Sequence, residues 1–210
     1  AALAATAKEL GVLGVRTDVT DSGSVQALAD RAVAEHGRVH VVCNNAGVGP
    51  MAPVDRLTLQ DWRWILDVNL YGVVHGVHAF LPVLEQNQDW GQIVNTSSMS
   101  AVAPPANLGA YVAAKAGVLG LSEVLAEELG RRNSVVGATA LIPGPVRTNI
   151  MNSLRTRPAA DASGLHDVDI AGNGKNFRFL EPADVERIVL EAIRANKLYA
   201  PTHAEWLPHV

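Results

Sequence analysis

The chain has 210 residues, of which 48% are hydrophobic, with a net charge of −4 and a pI near 6.0. That length and composition suffice to bury the core of one domain, and the acidic balance argues against a surface for nucleic acid or anionic membrane. Apolar stretches are broken well short of the ~18–20 residues that a membrane span requires. The single Cys43 excludes an internal disulfide and fits a reducing, cytoplasmic location.

Short β-like runs alternate with longer helical runs, which is typical of βαβ units and a parallel sheet. Strands are predicted near Val12–Arg16, Val39–Cys43, Gln92–Asn95, Val135–Ile142 and Leu198–Pro201. The first predicted helix covers Ala2–Leu10, and the others are Ser24–His36, Thr58–Leu84, Leu108–Leu129 and Pro182–Ala195. Because no linker or repeat interrupts this alternation, we expect one α/β domain over residues 1–210.

Residues 149–180 are the irregular part of the chain, with Pro, Gly, Asp and Asn among few apolar anchors. A segment of that length without regular structure is usually a lid or binding loop. Its apolar residues indicate a moderately hydrophobic substrate: Met151, Leu154, Leu165, Ile170, Phe177 and Phe179.

Tyr111 and Lys115 lie four apart on a predicted helix, so both face the same side at about 5–6 Å between Cβ atoms. An ammonium at that distance lowers the pKa of a phenol. A shift from ~10 to neutrality needs roughly 4 kcal/mol of electrostatic stabilisation. The pattern therefore predicts a proton-transfer site, although a surface pair without chemical meaning would look the same in isolation.

Further motifs stand in a fixed order around this pair. They are Asn44-Asn45-Ala46-Gly47, Asn69 in Val68-Asn69-Leu70-Tyr71-Gly72, Ser97-Ser98, and Pro143-Gly144-Pro145-Val146-Arg147-Thr148. Together with Tyr111 and Lys115, the set resembles the classical short-chain dehydrogenases/reductases. The resemblance extends from about Val12 to Thr148 and implies a Rossmann-like, doubly wound parallel sheet.

The resemblance implies four catalytic residues. Tyr111 would be the general acid/base on the substrate oxygen, and Lys115 would lower its pKa and hold the nicotinamide ribose. Ser98 would hydrogen-bond the carbonyl or alcohol, and Asn69 would anchor a water in a proton relay. For Ser98 the alternative is ordinary loop polarity, and for Asn69 it is a backbone hydrogen bond within its helix. The chemistry agrees, since hydride transfer at a secondary carbon needs a proton moved on the adjacent oxygen.

The same resemblance implies an NAD or NADP site. Asp18, followed by Val19, would bond the adenine amino group, unless it only forms a turn. Asn45, Ala46 and Gly47 would run beside the adenosine ribose, and Tyr111 and Lys115 would meet the cofactor from the helix. Backbone after Pro143 and Gly144 would meet the carboxamide together with Thr148. No metal is expected, because His75 and His78 have no evident third ligand.

One family feature is missing from the sequence: the Gly-rich phosphate loop that follows the first strand. In the family's strand order 3-2-1-4-5-6-7, Val12–Arg16 would be strand three and Val39–Cys43 strand four. The first βαβ unit would then be absent, with an unpaired edge at the centre of the sheet. We therefore expect roughly 40–60 residues upstream, judged from a βαβ unit of about 30 or more residues and its flanks.

The leading hypothesis is an oxidoreductase that interconverts a secondary alcohol and a ketone. Alternatives are a catalytically silent dinucleotide sensor or scaffold on the same fold, and a reductase of carrier-bound acyl chains. The helices Leu59–Leu84 and Tyr111–Leu129 correspond to those that pair between subunits in this family. A homodimer or homotetramer is therefore expected, with a small-molecule substrate and no nucleic acid or membrane partner.

Overall fold

The computed structural model describes residues 2–158, 163–168 and 178–209. In chain order the helices are α1 (Ala2–Leu10), α2 (Ser22–His36), α3 (Leu59–Leu66), α4 (Gly72–Leu84), α5 (Gly109–Arg131) and α6 (Pro182–Arg194). The strands are β1 (Val41–Asn44), β2 (Gly91–Thr96), β3 (Val136–Ile142) and β4 (Tyr199–Pro201).

The four strands form one parallel sheet in the order β1-β2-β3-β4. Ile93 pairs with Val42 on one side and with Ala138 on the other. The predicted order of these four strands is therefore confirmed. Because the strands are parallel, their carboxyl ends meet at one edge of the sheet, where α/β proteins bind ligands.

Helices cover both faces of the sheet. Ile93 belongs to a core cluster with residues of α2, α4 and α5, while its neighbour Val94 packs against α6. Successive strand residues point to opposite faces, so adjacent buried positions in β2 require a core on each side. The doubly wound, Rossmann-like architecture predicted from the sequence is confirmed.

The predicted strand at Val12–Arg16 is wrong. Residues 12–18 have no strand hydrogen bonds, and β1, with β2 on its one described side, forms an end of the sheet. A strand exists only when a neighbour accepts and donates along it. The composition of Val12–Arg16 suits a strand, but none of the described strands lies beside it.

The long helix predicted over Thr58–Leu84 is α3 and α4 joined by a π-helical turn at Asp67–Tyr71. Thr58 and Asp61 form a capping box at its start, and Asp61, fully buried, also pairs with Arg157. A π turn rotates the residues that follow it and is frequent at functional sites. Asn69 lies in this turn.

Part of the segment predicted as a lid lies within the described residues. Short 3₁₀ turns occupy Asn149–Asn152 and Leu154–Thr156, and single β-bridges link His166 to Met51 and Leu180 to Val146. Ile170 and Phe177, which were part of the substrate prediction, lie outside the described residues.

Helix α5 is long and apolar enough, by length and composition, to cross a membrane. It packs along β2 and β3, however, and Lys115 and Ser122 are buried on its inner face. Packing against the sheet accounts for its apolar composition.

Candidate active site

The candidate site lies at the carboxyl edge of the sheet. Strand β1 leads into Asn45, Ala46 and Gly47, strand β2 into Ser97 and Ser98, and strand β3 into Pro143 and Gly144. The first turns of α5 bring Tyr111 and Lys115 to the same edge, where they line one cavity with all of these residues.

Lys115 is the most enclosed charged group of this site, with 2% of its surface exposed. Its Nζ donates a hydrogen bond to the carbonyl oxygen of Thr96 at 2.7 Å. Burial lowers the pKa of Lys115 from 10.5 to about 8, because water can no longer solvate the ammonium. The side chain still carries its proton at neutral pH.

Tyr111 shares the helix face of Lys115, and Nζ lies 5.7 Å from the centre of its ring. Burial raises the pKa of Tyr111, and a hydrogen bond with Ser98 opposes that shift. The net pKa of Tyr111 therefore lies above its ordinary value, and a lowering contribution from Lys115 stays a prediction. Withdrawal from water favours the neutral phenol over tyrosinate.

Ser98 is held by a residue that sequence reasoning did not assign. Its Oγ accepts hydrogen bonds from the Ser100 backbone N–H at 3.2 Å and from Ser100 Oγ at 2.9 Å. A hydroxyl has two acceptor lone pairs and one proton. With both lone pairs engaged, Ser98 takes part in its hydrogen bond with Tyr111 by donating its own proton. The Ser/Thr-rich strand end is the signal that contained Ser100, but it does not single this residue out.

Asn69 is fully buried and bonded to backbone. Its Oδ1 accepts from the Val48 N–H at 3.1 Å, and its Nδ2 donates to the carbonyls of Val48 and Ile65 at 2.9 and 3.0 Å. A Cβ on Gly47 would lie 2.9 Å from Asn69 Oδ1 and 3.6 Å from Lys115 Nζ. Gly47 is thus needed for close packing between these two side chains.

Two cavities meet at Tyr111. The first, of about 390 Å³, has a mixed lining of apolar side chains, hydroxyls and amides and contains the cations of Lys115 and Arg155, with no carboxylate among its described lining residues. The second, of about 470 Å³, is lined mainly by apolar side chains. Ser98, Tyr111 and Ile150 line both cavities.

The predicted cofactor residues fall into two groups. The first cavity brings together Asn45, Ala46, Gly47, Tyr111, Lys115, Pro143, Gly144 and Thr148. Asp18 does not line it: its carboxylate accepts from the N–H and hydroxyl of Thr20 at 3.0 and 2.8 Å, and this turn holds its pKa below the usual value. Val19 lines a separate groove along β1, together with Asn45 and Ala46.

Arg155 is the clearest residue that sequence reasoning missed. It lies in the 3₁₀ turn Leu154–Thr156 and lines the first cavity, where its Nη1 donates to the carbonyl of Asn149 at 3.0 Å. An isolated arginine in an irregular segment carries no signal in the sequence, because only the fold of that segment turns it toward the cavity.

The chain belongs to the short-chain dehydrogenase/reductase family, whose members are NAD(P)-dependent oxidoreductases. The short chain dehydrogenase profile matches residues 1–159. A short-chain dehydrogenase/reductase from Burkholderia phymatum, solved in complex with NAD, superimposes with a TM-score of 0.89 at 34% identity, covering 99% of this chain and 78% of that one. The predicted family is confirmed.

The chain covers different shares of two curated relatives. The probable oxidoreductase EphD of Mycobacterium tuberculosis is 41% identical over 194 residues, which are 90% of this chain and 32% of EphD. The CLA biosynthesis dehydrogenase/reductase of Lactiplantibacillus plantarum is 27% identical over 206 residues, covering 94% of this chain and 72% of that protein. The chain thus spans about a third of EphD.

Proposed function

We propose that this protein is an NAD(P)-dependent oxidoreductase that interconverts a secondary alcohol and a ketone, with Tyr111 as the general acid/base. One observation carries the proposal: Tyr111 and Ser98 form the boundary between a cavity that contains two cations and a mainly apolar cavity whose described lining residues carry no charge. A redox cofactor on one side and a carbonyl substrate on the other would both reach the same phenol.

The first cavity fits the nicotinamide half of a dinucleotide. Its two cations and the lack of carboxylates among its described lining residues suit an anionic ligand. When bound, the nicotinamide exchanges a hydride with the substrate carbon. Lys115 would hold the ribose hydroxyls, and Asn45, Gly144 and Thr148 would line the remainder. The B. phymatum relative binds NAD in its own structure, which supports the same cofactor class here.

The proton chemistry follows from the protein's own groups. Because burial raises the pKa of Tyr111, the phenol is protonated at neutral pH and can donate to a carbonyl oxygen during reduction. The cation of Lys115 then favours the tyrosinate that remains. Ser98, with both lone pairs engaged by Ser100, donates its proton to the same oxygen and stabilises the developing alkoxide.

Asn69 is proposed as the first residue of a proton relay from Tyr111 and Lys115. An amide oxygen has two lone pairs, and Asn69 Oδ1 uses one for Val48 while facing the Gly47–Lys115 side of the site. A water held there would connect the site with solvent. We also keep Asp18 and Val19 as proposed adenine contacts.

The family pattern further suggests a cytoplasmic homodimer or homotetramer. Four exposed apolar residues lie on or between helices α3, α4 and α5 and would become buried if these helices pair between subunits. They are Leu59 on α3, Tyr71 in the turn between α3 and α4, Val74 on α4 and Val124 on α5.

The test is an assay of the protein with NADH or NADPH over a panel of ketones, following cofactor oxidation. We expect turnover with one of the two cofactors. If cofactor binds, by fluorescence titration, but no carbonyl or alcohol reacts, the dinucleotide-sensor alternative replaces the enzyme.

A further inference from the structure

The cavity of about 470 Å³ on the far side of Tyr111 has mainly apolar walls. Its described lining residues include no charged side chain. The polar groups are Ser98, Ser100, Asn107 and Tyr111, and three of these belong to the catalytic cluster. The apolar wall is formed chiefly by Met51, Leu108, Pro145, Ile150, Met151 and Phe179.

The guanidinium of Arg147, beside one wall of the cavity, does not compensate for this lack of charge. Arg147 lies over the ring of Phe179, 5.3 Å from its centre, but its Nε pairs with Glu181 at 2.8 Å. A carboxylate entering the cavity would lose its hydration without gaining an ionic partner among the described lining residues. Burying an unpaired charge is strongly unfavourable, and burying an unpaired hydroxyl costs about 1–3 kcal/mol of binding free energy.

The volume of the cavity also favours an apolar ligand. Sites for drug-sized ligands have volumes of about 300–1,000 Å³, and 470 Å³ lies within that range. A three- or four-carbon sugar would leave most of the apolar wall uncovered. A hydrocarbon group, by contrast, gains about 25 cal/mol for each Å² of apolar surface that it buries.

We propose that this cavity is the substrate site and that it selects uncharged, mainly hydrocarbon ketones or secondary alcohols whose reacting oxygen is their principal polar group. The oxygen lies against Ser98 and Tyr111, and the hydrocarbon lies against Met51, Met151 and Phe179. Methionine side chains adapt to different shapes, so several hydrocarbon skeletons are accepted. This inference rests on the proposed function.

The experiment compares two ketones that share one skeleton but differ in charge, together with a small polar ketone. Benzylacetone, its para-carboxylate derivative and dihydroxyacetone are assayed with NAD(P)H. We expect kcat/KM for benzylacetone to exceed that of each polar compound by at least about 100-fold, as follows from an unpaired buried charge or two unpaired hydroxyls. A carboxylate derivative or dihydroxyacetone that reacts as well as benzylacetone overturns the inference and leaves the proposed function standing.

A matched pair of variants localises the effect. Met151→Lys places a cation in the apolar wall and is expected to lower kcat/KM for benzylacetone and raise it for the carboxylate derivative. Leu10→Lys, at an exposed position of α1, leaves both values unchanged. Circular dichroism checks that each variant folds. If Met151→Lys folds and the preference does not move, the cavity is not the substrate site.

Direct binding separates the two hypotheses. Saturation-transfer NMR with benzylacetone is measured on the original protein and on Met151→Lys. Binding that Met151→Lys abolishes, with no turnover of any carbonyl, contradicts the proposed function but supports the apolar site. Turnover without preference for the apolar ketone supports the function and contradicts the apolar site.

Discussion

The two cavities beside Tyr111 differ in how they are built. The first is assembled from strand ends, the start of α5 and the turn that carries Arg155, and it contains two cations. The second is lined by loop residues such as Met151 and Phe179, and most of its described side chains are apolar. Under the proposed function, the sheet edge would determine the reaction, and the loops that cover it would determine which substrate reacts.

The comparison depends most on Tyr111, which belongs to both cavities. Tyr111→Phe removes the proton donor and keeps the ring, so we expect kcat to fall by about 10²–10⁴-fold. Cofactor affinity, measured by fluorescence titration, should change by less than threefold. Undiminished turnover in this variant would remove the assignment of the general acid.

Ser98 is the second shared residue. Ser98→Ala removes one donor to the developing alkoxide, which costs about 10²–10³-fold in kcat. Ser98→Thr keeps a hydroxyl and should recover part of the activity. Equal losses of kcat in the two variants would show that Ser98 only shapes the loop.

The third prediction concerns Lys115, which lines the first cavity but not the second. It is tested by the pH dependence of the free energy of unfolding. Its folded pKa of about 8 lies below the unfolded value of 10.5, so the unfolded state binds more protons between these two pH values. The free energy of unfolding should therefore rise as pH increases from 8 to 10.5, by on the order of 3 kcal/mol from this group.

Lys115→Met removes the titrating group and should remove that rise. Denaturant unfolding of both proteins at pH 7.5, 9 and 10.5 gives their free energies of unfolding. Subtracting one from the other at each pH cancels the contribution of the other titrating residues. Parallel curves for the two proteins would show that Lys115 is not buried as described.

The smallest expected effect concerns packing at the sheet edge. Gly47→Ala would place a methyl group 2.9 Å from Asn69 Oδ1, and we expect a loss of about 1–3 kcal/mol in unfolding free energy. Gly120→Ala is the matched control, because a Cβ there meets no atom within 4 Å. Because Gly120 lies in the middle of α5, Gly120→Ala should increase the free energy of unfolding by up to about 1 kcal/mol. Equal effects would argue against close packing at Gly47.

Sequence reasoning predicted most helices and strands within two residues, since their apolar periodicity is local. It failed at Val12–Arg16, where the composition suits a strand but pairing depends on a neighbour distant in the chain. It also missed Arg155 and Ser100. Their roles depend on the path of an irregular turn and on one hydroxyl reaching another, and neither property has a periodic signal.

The order of motifs along the chain was enough to determine the family, the parallel sheet and the pairing of Tyr111 with Lys115, because helical spacing and strand ends follow from local sequence. Only the tertiary structure decided the protonation of Tyr111 and the contrast between its two neighbouring cavities. Burial and the choice of which side chains line a space arise from distant segments packed together, and those cannot be read from spacing along the chain.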